Sequence, residues 1–249
     1  MTLLANPPHG VARLRAERLA QSSKLFLARG GIKGSRCPGC RLVPSHCMCD
    51  LRPRLPTRVG MCLLMGDIEA LKPSNTGWLV ADVVADTFAF GWARTETDPA
   101  LLRLLADPTW QPYVVFPSEY AAPERVIQAV AREPLSSDKR PLFILLDGTW
   151  AEARKMFRKS PYLEGFPVLS LEPSQLSRYQ LRRARRDDHF CTSEVAALCL
   201  ELVGEGRAAE ILTAYLDVYT HHYLRAKQQL PVERQGPAYS RWLALGPVV

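Results

Sequence analysis

The sequence predicts an α/β fold, in which a mostly parallel β-sheet is covered by helices on both faces and preceded by a small cysteine-rich part. From residue 57 onward, short apolar runs alternate with segments of helical pattern, which is typical of parallel sheets. The runs at 59–65 and 142–146 are continuously apolar, as expected of strands buried on both faces. We therefore divide the chain into an N-terminal helix with a cysteine cluster (1–56) and an α/β domain that ends in helices (57–249).

Each predicted element follows from its local pattern. Proline fits the first turn of a helix, which predicts the starts of two helices, and the glycines at 30, 31 and 34 end the first one. The predicted helices span 12–28, 78–86, 99–106, 123–132, a segment ending near 159, 193–203 and 207–228, and the predicted strands span 59–65, 88–92, 113–116, 142–146 and 168–171. The tail after Pro231 is predicted to be irregular, with Trp242 as an anchor.

Composition excludes several classes of protein. Among 249 residues, 47% are hydrophobic and 23% are charged, which excludes global disorder and collagen-like structure. The sequence has no apolar run of the roughly 18 residues that a membrane span needs. Arg13, Arg15 and Arg18 interrupt the segment where a signal peptide would lie, which favours a cytoplasmic protein. The formal charge of +7 points weakly towards polyanionic partners.

Four of the seven cysteines form a cluster with the spacing C-x2-C-x6-C-x-C. These are Cys37, Cys40, Cys47 and Cys49. In a cytosolic chain such a cluster favours a metal site over disulfides, and four thiolates suit tetrahedral zinc in a structural role. His46, next to Cys47, is an alternative fourth ligand. The alternative is that the four cysteines are reduced thiols that bind no metal.

Basic residues surround this cluster and predict a small zinc knuckle that grips nucleic-acid backbone, with a solvated basic face as the alternative. They are Lys33, Arg36, Arg41, Arg52, Arg54 and Arg58. A denser basic segment carries a tyrosine on which an unstacked base could lie. Its members, the candidate RNA-binding residues, are Arg178, Tyr179, Arg182, Arg183, Arg185 and Arg186.

Ligands of open α/β sheets bind at the carboxyl ends of the strands, and three loops there carry polar residues. The first loop contains Ser74, Asn75, Thr76 and Gly77, which either cap a helix or offer N–H groups to a ligand. It matches no nucleotide-phosphate motif. The second loop contains Pro117 and Ser118, which on their own indicate only a turn.

The third loop is Asp147-Gly148-Thr149-Trp150, directly after the 142–146 strand. Asp147 stands where a helix N-cap belongs, and also where a general base belongs, so both interpretations stay open. Trp150 shares a helical face with Ala153 and Phe157, a pattern typical of core residues.

Together these motifs resemble the DTW-domain family. Asp147-x-Thr149-Trp150 resembles its signature. The other motifs occur along the chain in the order that the family has: the four cysteines, Glu69 with 74–77, Pro117-Ser118 and Thr192-x-Glu194. The similarity spans about residues 37–205. One position departs from the pattern, because Gly66 stands where the family usually has His. Any role of that histidine is either vacant or taken over by the next residue, Asp67.

The resemblance implies an S-adenosylmethionine-dependent tRNA-uridine aminocarboxypropyltransferase with a SPOUT-like fold and a trefoil knot. A uridine of the tRNA variable loop is the implied target. The implied catalytic residues are Asp147, Thr149 and Trp150, and the implied cofactor-binding residues are Ser74, Asn75, Thr76, Gly77, Pro117, Ser118, Asp147, Thr192 and Glu194. Arg178, Arg182 and Glu194 would organise the site.

We expect tRNA, S-adenosylmethionine and zinc as binding partners, with no membrane and no obligate protein partner. Two alternatives remain: a SPOUT-type RNA methyltransferase, and a zinc-knuckle RNA-binding protein without catalysis.

Overall fold

The computed structural model describes residues 8–21, 36–53, 55–130, 139–171 and 190–246. Its six strands are β1 (Gly60–Met65), β2 (Thr87–Gly91), β3 (Trp110–Val115), β4 (Val126–Ile127), β5 (Arg140–Asp147) and β6 (Val168–Leu169). The helices are α1 (Gly10–Gln21), α2 (Gly77–Val83), α3 (Pro99–Ala106), α4 (Trp150–Arg158), α5 (Thr192–Leu202), α6 (Gly206–Lys227) and α7 (Pro237–Ala244). All strand pairs are parallel, in the order β2-β1-β5-β3-β6-β4. The predicted fold class is therefore confirmed.

Alternating side chains of the central strands pack on opposite faces of the sheet. Met61, Leu63 and Met65 of β1 share a buried cluster with residues of α1, α2, α5, α6 and α7. Cys62 and Leu64 belong to a second buried cluster with residues of α3 and α4. This period-2 division explains why β1 and β5 read as continuous apolar runs, since both faces of each strand are covered.

The cysteine-rich segment packs on the first of these faces. Cys40, Leu42 and Met48 are buried in the same cluster as α2 and α6. Two 3-10 turns, Pro44–His46 and Cys49–Leu51, shape the segment. The cysteine segment is therefore part of the main hydrophobic core.

Two predicted elements are wrong. Within 123–130 the predicted helix is replaced by a 3-10 turn, Pro123–Arg125, followed by β4. The chain pairs there with β6, and Arg125 donates hydrogen bonds to the carbonyls of Leu163 and Phe166.

The tail is helical rather than irregular. Gly236 at φ 91° lets the chain turn into Pro237 at the start of α7. Trp242 does anchor it, with its ring 5.7 Å from that of Tyr215.

Among the described residues, no helix has both the length and the apolar character needed to cross a membrane. The trefoil knot stays a prediction.

Candidate functional site

Asp147 is the last residue of β5, the strand between β1 and β3. Its carbonyl accepts a hydrogen bond from the Gly66 amide just beyond β1, at 2.8 Å. Because side chains alternate along a strand, Asp147 lies on the same face as Phe143 and Leu145, towards α2 and α5. The buried strand thus delivers a carboxylate to the carboxyl edge of the sheet.

The carboxylate of Asp147 is buried and held by two side chains. Asn75 Nδ2 donates to one oxygen at 2.8 Å, and Thr192 Oγ1 donates to the other at 2.7 Å. The residue is only 5% exposed, and this burial raises its pKa to about 6 against the hydrogen bonds, which act in the opposite direction. Glu69 adds to the rise and Lys72 opposes it. Asp147 is thus an oriented carboxylate that ionises near neutral pH.

Gly77 allows the first loop to approach Asp147. A Cβ at this position would lie 2.6 Å from Asp147 Oδ2 and 3.2 Å from Asn75 Oδ1. Asn75 Oδ1 also accepts from the Trp78 amide at 3.2 Å, so Asn75, which precedes the N-cap Thr76, satisfies an amide of the first turn of α2 while its own amide group binds Asp147. Asn75 therefore supports the start of α2 and orients Asp147, while binding of a ligand by the N–H groups of this loop stays a prediction.

Thr76 connects the first loop to the start of α5. The hydroxyl of Ser193 donates to the Thr76 carbonyl at 2.7 Å, and the Ser193 amide faces Thr76 Oγ1 at 3.4 Å. Ser74 lies on the exposed side of the loop. Glu194 accepts from the Cys191 amide at 2.8 Å as part of a capping box of α5. The sequence pattern points to Thr192 and Glu194 but not to Ser193 between them, which carries no motif of its own.

Thr149, not Asp147, is the N-cap of α4. Its hydroxyl and the Glu152 carboxylate form a reciprocal capping box. The interpretation of Asp147 as a cap is therefore wrong, because the helix begins two residues later than that interpretation requires. Thr149 has a structural role that accounts for its hydroxyl.

Trp150 lies on the other side of the sheet from the Asp147 carboxylate, in an aromatic cluster. Its ring stacks on Phe116 with a centroid distance of 5.5 Å, and Phe116 stacks on Phe157 at 4.5 Å. The ring of Tyr120 meets that of Trp150 edge-on at 5.7 Å. Ala153 and Phe157 pack into this face as predicted, whereas Trp150 at its end is 36% exposed. The cluster offers a partly exposed aromatic surface at the carboxyl edge.

Pro117 and Ser118 follow β3, and Ser118 begins a 3-10 turn. The Ser118 amide donates to Ser170 Oγ, beyond β6, at 3.1 Å. An open depression of about 490 Å³ begins here and extends towards β4; it is lined by Ser118, Glu119, Ala121, Pro123, Val126 and Gln128. The volume lies in the range of small-molecule sites, but the depression does not include Asp147.

Gly66 lies close to the side chains of Glu69 and Glu152. A Cβ there would lie 3.4 Å from both Glu69 Cγ and Glu152 Oε1. Asp67 is exposed and pairs with Arg18 of α1, so its carboxylate is engaged by α1, and its taking over the role of the family's histidine stays a prediction. Glu69 is 6% exposed and pairs with Lys72, which places a second acidic group beside the site.

The four cysteine sulfur atoms converge. They lie within 4.8 Å of one another, with Sγ–Sγ distances of 3.4 Å for Cys37–Cys49, 3.5 Å for Cys47–Cys37 and 3.8 Å for Cys40–Cys47. A tetrahedral centre with bonds of about 2.3 Å to sulfur places its ligands about 3.8 Å apart. Gly39 is required at the turn, since a Cβ would lie 2.6 Å from Cys49 Sγ. The predicted cysteine cluster is confirmed and fits a zinc knuckle.

The thiols of the cluster differ in their pKa values, and their protons compete with a cation. A hydrogen bond from Cys49 lowers the pKa of Cys40 to about 5, while the same hydrogen bond raises the pKa of Cys49 and burial raises that of Cys47. Without a cation the thiols therefore share protons, whereas a bound dication would replace them.

His46 is not a ligand, contrary to the alternative. Its Nδ1 contacts Ser45 Oγ at 2.9 Å and its Nε2 contacts the Leu230 carbonyl at 2.8 Å, so both ring nitrogens are engaged outside the cluster.

The four described basic residues near the cluster, Arg36, Arg41, Arg52 and Arg58, do not form one solvated face. Arg41 is 2% exposed, and Arg52 pairs with the buried Asp82 at 2.9 Å. Arg36 donates to the Arg41 carbonyl, and of the four basic residues here that the structure describes, only Arg58 is exposed. Lys33, Arg54, Arg178, Tyr179, Arg182, Arg183, Arg185 and Arg186 lie outside the described residues. A buried arginine carries no sequence signal that separates it from a surface one.

A family model of the DTW domain matches residues 34–224. No solved structure matches the chain.

Proposed function

Because the chain belongs to the DTW-domain family, we propose that it is a tRNA-uridine aminocarboxypropyltransferase that uses S-adenosylmethionine. The enzyme transfers the 3-amino-3-carboxypropyl group to N3 of a tRNA uridine, in the variable loop, and releases 5′-methylthioadenosine. Family membership and the buried Asp147 carboxylate both support this function.

The reaction requires one proton transfer and one displacement. Uridine N3 loses its proton, and the N3 lone pair forms a bond to the methionine side-chain carbon next to the sulfonium. The bond between that carbon and sulfur breaks, and its electron pair stays on sulfur, which becomes a neutral thioether. The protein must align the carbon with N3 and accept the proton.

The observation that carries the proposal is the state of Asp147. Burial raises its pKa to about 6, close to the operating range of a general base, and the two donors leave each oxygen with a further lone pair. Asn75 and Thr192 fix its orientation, and Gly77 provides the space in which the loop approaches it. We assign Asp147 as the base and the other three as its support.

The cofactor-binding residues fit a polar ligand at the carboxyl edge of the sheet. Thr76 and Ser74 on the first loop, and Ser118 after β3, border this edge from two sides, with the depression of about 490 Å³ beside Ser118. Trp150 offers a partly exposed ring for stacking a base. Bound S-adenosylmethionine supplies the electrophilic carbon, and these residues would bind and orient it.

We propose tRNA as the macromolecular substrate. The support is the charge of +7 and the basic segment that includes Arg178, Arg182, Arg183, Arg185 and Arg186 with Tyr179. Lysine and arginine contacts to phosphates would give binding that weakens with salt.

The experiment that tests the function identifies the by-product. The purified chain is incubated with total tRNA lacking the modification and S-adenosylmethionine, and the small-molecule products are separated by chromatography. Release of 5′-methylthioadenosine with gain of the aminocarboxypropyl group on tRNA supports the proposal. Release of S-adenosylhomocysteine instead would indicate a methyltransferase, and absence of any product with tRNA binding retained would indicate a binding protein.

We also propose that the cysteine cluster holds one structural zinc ion. Four protein ligands close the coordination sphere, so zinc supplies stability rather than chemistry. Replacing Cys37 and Cys40 with Ser is expected to abolish bound zinc, measured by elemental analysis, and to lower the melting temperature. Replacing the buried Cys62, which lies in the other core cluster, with Ala should leave the zinc content unchanged. Full zinc content in the double variant would contradict the assignment.

A further inference from the structure

Arg41 is a buried cation between the cysteine cluster and the Asp147 site. It directly follows Cys40, has a left-handed backbone with φ 64°, and is 2% exposed. Its guanidinium lies 4.4 Å from the ring centroid of Trp78, on α2. Its acceptors are backbone carbonyls: that of Lys72 at 3.1 Å and that of Asn75 at 2.9 Å. Arg41 thus binds the loop whose Asn75 side chain binds Asp147.

The carbonyls of this loop are held from one side. Arg15 of α1 donates to the carbonyls of Ala70 and Leu71 at 3.1 and 2.7 Å, and the Tyr219 hydroxyl of α6 donates to the carbonyl of Pro73. Together with Arg41, three side chains therefore donate to five carbonyls of this loop, those of residues 70–73 and 75. Of the three, only Arg41 comes from the cysteine segment.

The conformation of Arg41 depends on the turn that presents the cysteines. The Arg41 amide donates to the Cys37 carbonyl, and the Cys37 amide donates to the Leu42 carbonyl, both at 2.8 Å. A left-handed backbone is costly for a residue with a side chain, so it persists where the surroundings enforce it. A metal that joins Cys37 and Cys40 would close this turn around Arg41. The Gly39 carbonyl of the same turn also accepts from Trp78 Nε1 at 3.0 Å.

We infer that Arg41 is a positioning residue that transmits metal binding at the cysteine cluster to Asn75 and thereby to Asp147. The kinetic part of this inference rests on the proposed function, whereas the structural part does not. Loss of the metal relaxes the turn, Arg41 releases the carbonyls of Lys72 and Asn75, and the Asn75 amide group moves away from the carboxylate.

The variants that test this are Arg41→Lys and Arg41→Met, with Arg140→Lys as the matched control. Arg140 is also an arginine that lies over a tryptophan, 4.5 Å from the Trp110 centroid, and donates to two carbonyls, those of Thr57 and Arg58. It stands at the opposite end of β5 from Asp147. The control therefore loses an arginine stacked on tryptophan with two carbonyl acceptors far from the site, together with an ion pair to Asp86.

Hydrogen exchange measured by mass spectrometry reports on the loop without any substrate. For peptides covering 72–80, we expect at least tenfold faster exchange in Arg41→Lys than in the wild type, at retained zinc content and helicity. Chelation of zinc from the wild type should produce the same acceleration, and chelation of Arg41→Met should add little, because the two changes break one connection. Arg140→Lys should leave these peptides unchanged.

The kinetic readout is the pH profile of methylthioadenosine release. A hydrogen bond from Asn75 lowers the pKa of Asp147, so its loss should move the acid limb of the profile to higher pH in Arg41→Lys, while Glu69 and Lys72 continue to face the carboxylate. We expect kcat to fall between about tenfold and about a hundredfold with KM for tRNA unchanged.

Equal acceleration of exchange by chelation in Arg41→Met and in the wild type would overturn the inference, as would wild-type exchange in both Arg41 variants. Should Arg41→Met fail to fold, the chelated wild type and Arg41→Lys still decide the outcome. If the wild type forms no methylthioadenosine, the proposed reaction fails while the exchange results still stand for Arg41.

Discussion

The turn at 147–150 separates two regions of opposite character. On one side the carboxylate of Asp147 is buried and hydrogen-bonded to Asn75 and Thr192. On the other side Trp150 stands at the exposed end of a stack with Phe116 and Phe157. Only Gly148 and the helix cap Thr149 separate Asp147 from Trp150 in the chain, yet the two side chains place an ionisable group on one face of the sheet and an aromatic surface on the other.

This difference suggests a division of roles. A buried carboxylate with fixed partners is suited to proton transfer, because its pKa and orientation are set before substrate arrives. A partly exposed ring is suited to binding, because stacking needs little orientation and little change of charge. Substitutions on the two sides should therefore affect kcat and KM differently.

The largest effect is expected from Asp147→Asn, which keeps the shape of the side chain but removes the base. We expect kcat to fall about 10³-fold with tRNA affinity unchanged, since a general base contributes roughly 10²–10⁴-fold. The measurement is methylthioadenosine release under saturating substrates, together with tRNA binding by filter retention. Glu201→Gln, an exposed carboxylate elsewhere on α5, should keep normal turnover. Near-normal turnover of Asp147→Asn would show that Asp147 is not the general base.

Gly77→Ala tests the close approach on the buried side. The added Cβ would lie 2.6 Å from Asp147 Oδ2, so the carboxylate or α2 must move. We expect kcat to fall between about tenfold and about a hundredfold and stability to fall by about 1–3 kcal/mol. Gly165→Ala is the matched control, because a Cβ there meets nothing within 4 Å. Equal effects of the two alanines on kcat would show that the approach at Gly77 is unimportant.

Activity and stability should depend on the ionisation of Asp147 in opposite ways: raising the pH should increase turnover and decrease the contribution of Asp147 to folding stability. A base that ionises near pH 6 predicts turnover that falls about tenfold per pH unit below that value. The folded pKa is raised from 3.8 to about 6, so Asp147 favours folding below pH 3.8, and this contribution is lost as the pH rises to 6. The upper bound of that loss is about 3 kcal/mol.

Denaturant unfolding of the wild type and of Asp147→Ala at pH 4 and pH 7 measures the stability effect. The free energy of unfolding of the wild type, minus that of the variant, should be smaller at pH 7 than at pH 4. A difference that is independent of pH would mean that Asp147 ionises normally in the folded chain.

The sequence predicts the buried side of the turn only in part. The position of Asp147 at the carboxyl end of a buried strand follows from the apolar run before it, and that placement is confirmed. The choice between cap and carboxylate site could not be made, because Asp147 and Thr149 are both good caps and only the actual start of α4 separates them. The sequence places Arg41 among basic residues around the cysteines, and its burial does not follow from local sequence, which does not show which arginine a neighbouring loop covers.

The smallest effect is expected on the aromatic side, from Trp150→Ala. Much of the ring is already packed on Phe116, so only its exposed part is available for stacking a base. We expect KM for tRNA or for S-adenosylmethionine to rise about fivefold to tenfold, the lower part of the range for a lost base stack, with kcat changed less than about twofold. Trp150→Phe, which keeps a ring on Phe116, should recover most of the loss. A fall in kcat as large as that of Gly77→Ala, at unchanged KM, would show that the two sides of the turn act together, and the division between a proton-transfer face and a binding face would have to be abandoned.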